Sequence, residues 1–280
     1  MLLPATIPIP TLHLFPVLDQ ELIALLKSLS PEEWAAPTLA RLWGVKDIAA
    51  HLLDGNVRTL SMQRDSYASD PPRDIHSYQD LLDYLNGLNA SWVAAAKRLS
   101  PKVLIELLEL TGKQYTEYLS SLDPFAKAPF SVAWAGESES LNWFHIAREY
   151  TEKWHHQQQI RDATGRSGLL SQELFHPFIA TLMRGMPHAY RNTEATNGTC
   201  VKLTVTTDAG GDWYLVRQDG RWTLVDKFYE TPAASLAIEP DTAWKLFTKA
   251  MTPEMTRKKA EIKGDAKLAA VALGLIAVMA

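Results

Sequence analysis

Two histidines and two carboxylates, His145, Glu149, Glu152 and His156, recur along one stretch of this 280-residue chain at a spacing that favours shared chemistry. They stand at i, i+4, i+7 and i+11, so on a helix turning ~100° per residue they fall within about 60° of one another. Side chains one turn apart lie ~5–6 Å from each other, close enough for Glu152 and His156 to grip one ion. Zinc takes neutral imidazole nitrogen and carboxylate oxygen at ~2.0–2.2 Å, and an i, i+4 pair offers both without straining the backbone. A third ligand has to come from another element. His51, in Asp47-Ile-Ala-Ala-His51-Leu-Leu-Asp54, is the candidate. Asp47 and Asp54 lie one turn either side of it, each able to accept the second ring N–H. On spacing alone other readings stay open: such a Glu–His pair is commonly an exposed ion pair, and a lone helical histidine commonly a core residue. His155, about 100° away from His156, is expected in solvent. His13, His76, His176 and His188 lack partners at ligand spacing and read as structural. Trp34, Trp43, Trp143 and Trp154 read as core residues.

The elements that must position these groups are helical from residue 18 to about 165. Leu22, Leu25, Leu26 and Leu29 form a first apolar stripe, and Ser30-Pro31-Glu32-Glu33 reads as a stop followed by a short capped turn. Helices are expected over residues 45–64 and 77–99. A further helix runs from Ser100-Pro101, with Ser at the N-cap and Pro at the first helical position, to about 122. The chemistry-bearing helix spans 141–164 and stops at Gly165. After one more helix over 169–190 the texture changes. Residues 201–206 alternate with period two, and Gln218-Asp219-Gly220 is a hairpin turn between two apolar runs. A strand at 235–238, a helix from about 241, a short strand at 260–262 and a closing helix from 265 complete the pattern. The fold class is α+β, a helical bundle (residues 1–167) followed by a smaller α/β domain (168–280).

Composition narrows the partners. Apolar residues make up 46% and charged residues 21%, enough for a full core. A formal charge of −4 with no basic stripe argues against nucleic acid. The single cysteine, Cys200, excludes an internal disulfide and a thiolate cluster. Residues 1–20 begin apolar but lack a basic start and carry four prolines, a poor signal peptide. The apolar run at 268–280 falls short of the ~20 residues a spanning helix needs. A cytoplasmic protein with no membrane partner is the expectation; the oligomeric state is not legible.

Leu42-Trp43-Gly44-Val45-Lys46-Asp47-Ile48-Ala49-Ala50-His51-Leu52 resembles the W-x-V-x-D-x-x-x-H-L signature of DinB-like four-helix metalloproteins, and more narrowly the mycothiol-dependent maleylpyruvate isomerase family. Glu152-Lys-Trp154-His-His156-Gln-Gln-Gln159-Ile160-Arg161 is similar to that family's E-x-W-x-H-x-x-D-[IV]-R segment. The resemblance spans essentially the whole chain, since Ile262-Lys-Gly264-Asp265 before a last apolar helix is similar to the family's sterol-carrier-like domain. It implies a DinB-like up-down four-helix bundle in which His51, Glu152 and His156 hold a divalent metal. Zinc is the first choice, with nickel, iron or manganese as alternatives. It implies further an enzyme, a thiol-dependent isomerase or S-transferase. In it the metal activates a low-molecular-weight thiol, such as mycothiol or bacillithiol, for addition to an electrophilic small molecule. Glu149 or His145 is placed to shuttle a proton. Two departures stand out. Gln159 replaces the family's Asp, and the family's second-domain arginine has no clear counterpart, Arg257 or Lys249 being nearest in context. Two alternatives use the same chain differently: a lipid or small-molecule binder with a structural metal, residues 269–280 lining an apolar cavity, or a thiol-independent metal hydrolase.

Overall fold

The structure, a computed structural model, describes residues 3–67 and 75–278. Residues 1–2 and 279–280, the ends of the two apolar terminal runs, lie outside the described residues. Eleven α-helices are present among the described residues: α1 (Phe15–Ser28), α2 (Pro31–Trp34), α3 (Val45–Thr59), α4 (Tyr78–Ala96), α5 (Pro101–Ser120), α6 (Asn142–Ala163), α7 (Gln172–Met183), α8 (Met186–Ala189), α9 (Pro240–Phe247), α10 (Pro253–Arg257) and α11 (Ala266–Ala270). Five strands join them: β1 (Cys200–Val205), β2 (Gly211–Gln218), β3 (Arg221–Val225), β4 (Ala234–Ile238) and β5 (Glu261–Gly264). The fold is α+β. No helix among the described residues is long and apolar enough to cross a membrane.

By contacts the described residues fall into two compact units: residues 3–10, 125–151 and 168–278 form one, and residues 11–67, 75–124 and 152–167 the other. Helix α6 supplies its first half to the former and its second half to the latter.

The helical unit is built on α1, α3, α4, α5 and the C-terminal half of α6. Its core joins Leu22, Leu25 and Leu26 of α1 to Ile48, Leu52 and Leu53 of α3, Leu104 and Leu108 of α5 and Ile160 of α6. Fully burying each such side chain contributes ~1.5–3 kcal/mol. Ser30 starts α2 with a reciprocal capping box, its hydroxyl accepting from Glu33 N–H while the Glu33 carboxylate accepts from Ser30 N–H. Ser77 and Ser100 cap α4 and α5 with the hydroxyl alone, accepting from the Asp80 and Val103 N–H groups. The helix expected over 45–64 is α-helical only to Thr59; Leu60–Arg64 widens into a π-helical turn. Interhelical hydrogen bonds fix α3: Trp92 Nε1 of α4 donates to the Ala50 carbonyl at 2.8 Å, and Asn56 donates to Thr111 Oγ1 of α5 at 3.1 Å.

The second unit carries one five-stranded sheet of order β3-β2-β1-β4-β5, antiparallel throughout except where β1 and β4 run parallel. Val201, Leu203 and Val205 pair with Ala234, Leu236 and Ile238, and all six are buried. The turn between β2 and β3 is the expected one: Asp219 and Gly220 both take positive φ (49° and 74°), the two-residue geometry that matches strand twist. Residues 3–5 pair along β3. Three expectations need correction. The helix over 169–190 is two helices, parted at Arg184–Gly185, where Pro187 removes a donor. The segment 253–257 forms a helix, α10, that period and caps did not reveal. The closing helix lasts only to Ala270, tightens into a 3-10 turn and then runs extended. There Ala277 N–H donates to the Phe247 carbonyl, and Ala269, Ala272, Leu273, Leu275 and Ala277 are core residues.

Candidate metal centre

In the helical unit, the loop before α3 is cinched so as to hold one aromatic ring over the site. Val45 N–H donates to the Ala36 carbonyl, Thr38 Oγ1 donates to the Trp43 carbonyl at 2.7 Å, and Gly44 N–H donates to Asp47 Oδ2 at 3.1 Å. Trp43 is thereby held with its ring centroid 4.8 Å from that of His51 and 6.3 Å from that of His156. Trp43 is only partly buried, so it walls the site as well as packing.

The second half of α6 is locked in register by ion pairs. Lys153 Nζ reaches Asp19 at 3.0 Å across the Tyr115 ring, and Arg161 reaches Glu21 at 2.8 Å. Trp154 and Ile160, fully buried, anchor this stretch, and His156 packs against His51. The His51 and His156 rings meet edge-on, centroids 4.6 Å apart. Glu152 Oε2 lies 3.6 Å from His156 Nε2. His156 Nδ1 lies 3.0 Å from Gln159 Oε1. The other edge of the ring turns Nε2 toward the Glu152 carboxylate. An imidazole nitrogen and a carboxylate oxygen one helical turn apart are a donor pair that suits a divalent cation.

His51 adds a second such signal. Its Nδ1 is buried with no hydrogen-bond partner among the described residues. Burial first, then the neighbouring His156, Arg58 and His155, hold its pKa well below the ordinary histidine range, so the ring is neutral and ready to ligate. The expected acceptor for its second N–H is not where spacing put it. Asp47 is spent on the Gly44 cap, and Asp54 pairs with Arg58 at 3.2 Å.

His155 is the residue misplaced by helical arithmetic. It is only 5% exposed, its ring centroid 3.9 Å from that of His156 and its Nδ1 4.0 Å from Glu152 Oε2. Ligand atoms of Glu152, His155 and His156 all lie within 4.8 Å of one another, a convergence His51 does not join although its ring packs against His156. The error came from treating α6 as having one buried face. Trp154, His155, His156, Gln157, Gln158 and Gln159 are all buried, and that unbroken polar run was the available signal.

Profiles of known families match the chain in two stretches. Residues 15–161 match the mycothiol maleylpyruvate isomerase N-terminal domain, and residues 179–276 match the SCP-2 sterol transfer family. The chain belongs to the mycothiol maleylpyruvate isomerase N-terminal domain family. Two solved structures share the fold at 10% identity, those of a mycothiol-dependent maleylpyruvate isomerase (TM-score 0.56) and of a histidine-to-alanine mutant (TM-score 0.55). Each match covers 92% of this chain and 93% of the other. No curated protein matches.

Gln159, where the resemblance expected Asp, sets its amide oxygen 3.0 Å from His156 Nδ1. The remaining sequence candidates lie in the sheet-bearing unit. His145 is completely buried. Arg148 Nη2 donates to its Nδ1 at 2.7 Å and to Glu149 Oε1 at 2.7 Å, and Arg148 Nη1 donates to the Ser131 carbonyl. Burial is the main reason its pKa falls to about 4. Its Nε2 is buried with no hydrogen-bond partner among the described residues. Lys249 and Arg257 are both exposed on their unit.

Proposed function

We propose that this chain is a metal-dependent enzyme that activates a low-molecular-weight thiol for addition to an electrophilic small molecule, as a thiol-dependent isomerase or S-transferase. The cation is held by His51, Glu152 and His156. The observation that carries the reading is His156 Nε2 set 3.6 Å from the Glu152 carboxylate, beside the His51 Nδ1, buried with no hydrogen-bond partner among the described residues. Family membership, with its name tied to mycothiol and maleylpyruvate isomerisation, supports the thiol and the reaction class. We propose also that residues 1–167 and 168–280 are the two sequence modules, metal-binding and sterol-carrier-like.

Two imidazoles and one carboxylate fit a zinc-type ion with an open position, and nickel, iron or manganese suit the same donors. Bound there, the ion would supply a thiolate at neutral pH from a thiol whose ordinary pKa is ~8.5. The protein's own part is positional. Gln159 steadies the His156 ring at Nδ1, the Lys153–Asp19 and Arg161–Glu21 pairs fix the register of α6, and Trp43 packs over the His51 ring.

Turnover of a panel of electrophiles by zinc-loaded protein, with and without a supplied low-molecular-weight thiol, tests this reading. Turnover that needs both metal and thiol is expected. Full metal content with no thiol-dependent turnover would overturn the thiol reading, and turnover with metal alone would favour hydrolysis.

A further inference from the structure

In the sheet-bearing unit, residues 126–142 double back on themselves. Asn142 N–H donates to the Ala126 carbonyl at 2.9 Å, Ala128 N–H to the Ser140 carbonyl at 2.8 Å and Val132 N–H to Ser140 Oγ at 2.9 Å. The loop so tied holds Glu137 within electrostatic reach of Arg184, the C-cap of α7. Both residues line a cavity of about 380 Å³, whose walls also include Ser140, Leu141, Trp143 and Phe144. That volume is at the small end for ligand pockets, ~300–1,000 Å³, and suits a metabolite-sized molecule. The Trp143 and Phe144 rings stack with centroids 5.0 Å apart and supply an apolar wall. Lys127 and Glu139 line the cavity too, but they neutralise each other in an exposed ion pair. One cation and one anion are left. Among the described residues the half-buried Arg184 guanidinium makes no hydrogen bond and no ion pair; burial lowers its pKa, and the charge of Glu137 opposes that from beyond contact distance. The Ser140 hydroxyl donates to Glu137 Oε2 and leaves Oε1. Opposite charges held in one cavity without touching leave each with unspent bonding capacity, which a half-buried site makes costly.

We propose that this cavity binds a small zwitterion, an α-amino acid with an apolar side chain, its carboxylate on Arg184, its ammonium on Glu137 and its side chain against Trp143 and Phe144. The guanidinium fork matches a carboxylate with two parallel N–H bonds, and a carboxylate oxygen is the natural acceptor for an ammonium. A ligand carrying only one of the two charges would leave the opposite protein group unpaired and drier than before, so a simple acid or a simple amine is the poorer fit. Every group involved belongs to the sheet-bearing unit, so the site stands or falls independently of the metal centre.

Calorimetric titration of the full-length protein with L-phenylalanine tests this, repeated after treatment with a chelator so that capture by a bound ion is not counted. Saturable binding is expected in both preparations. Hydrocinnamate, which lacks the ammonium, and phenethylamine, which lacks the carboxylate, should each bind at least about tenfold more weakly. Arg184→Gln and Glu137→Gln should each weaken L-phenylalanine binding by a similar factor, and Glu137→Gln should erase its advantage over hydrocinnamate. Should either variant misfold, the comparison of the three ligands on the wild type decides alone. No saturable binding of L-phenylalanine, equal binding of the three ligands, loss of binding on chelation, or unchanged binding in both folded variants would overturn the proposal.

Discussion

The two edges of the His156 ring decide what this interior can hold. Gln159 Oε1 lies 3.0 Å from Nδ1, and Nε2 faces Glu152. Gln159→Leu removes the first contact and loosens the ring, so zinc affinity should fall about 10- to 100-fold, read by chelator competition. Unchanged affinity would mean that Gln159 only packs. His145 makes a different prediction, on stability. Its folded-state pKa is lowered to about 4 from an unfolded value near 6.5. Below pH 6.5 the unfolded chain takes up a proton that the native ring refuses until about pH 4, so native stability drops across that window and is unaffected above it. The full loss is roughly 3 kcal/mol. Urea unfolding midpoints between pH 7 and 4 should show this slope, and His145→Gln, which keeps an acceptor for Arg148, should flatten it. At this scale the sequence disclosed the Glu152–His156 pair and its partner ring His51, because residue type and spacing carry that information. It misled on His155, whose burial depends on a helix enclosed on more than one side. It misled also on Asp47, because the Gly44 cap competes for the carboxylate.

Helices and turns tell where pattern is enough. The capping serines at 30 and 100 and the Asp219-Gly220 turn are local chemistry, so they stand where the sequence puts them. The end of the long helix 169–190 and the short closing helix are set by tertiary packing and were not legible. Two glycines give opposite expectations. A Cβ at Gly55, one turn past His51 on α3, would meet nothing within 4 Å, so Gly55→Ala should stabilise the fold by about 0.5–1 kcal/mol with zinc binding intact. Gly264 closes β5 at φ +73°, and a Cβ there would sit 2.3 Å from the Ala233 carbonyl oxygen. Gly264→Ala should destabilise by more than about 1 kcal/mol. Thermal melts of the two variants should move in opposite directions; a shared direction would contradict the packing described.

Across the molecule, the sequence modules and the compact units do not coincide. Residues 125–151 group with the sheet, where the Tyr150 hydroxyl donates to the Leu174 carbonyl at 2.7 Å and Trp134 packs against the Phe144 ring. A fragment of residues 168–280 alone leaves the Leu174 carbonyl without that donor and bares apolar surface that residues 125–151 cover. It should be less stable than a fragment retaining that segment, seen as a lower melting temperature or aggregation. The family itself was legible because its two ligand motifs are short and contiguous, whereas unit boundaries emerge only from long-range contacts.

Metal analysis after equilibrium dialysis against zinc tests the central claim most directly. One ion per chain is expected in the wild type, with loss on replacing either His51 or His156 by alanine while the fold, followed by circular dichroism, persists. A folded wild-type protein that retains no ion, or variants that bind it as tightly as before, would contradict the account.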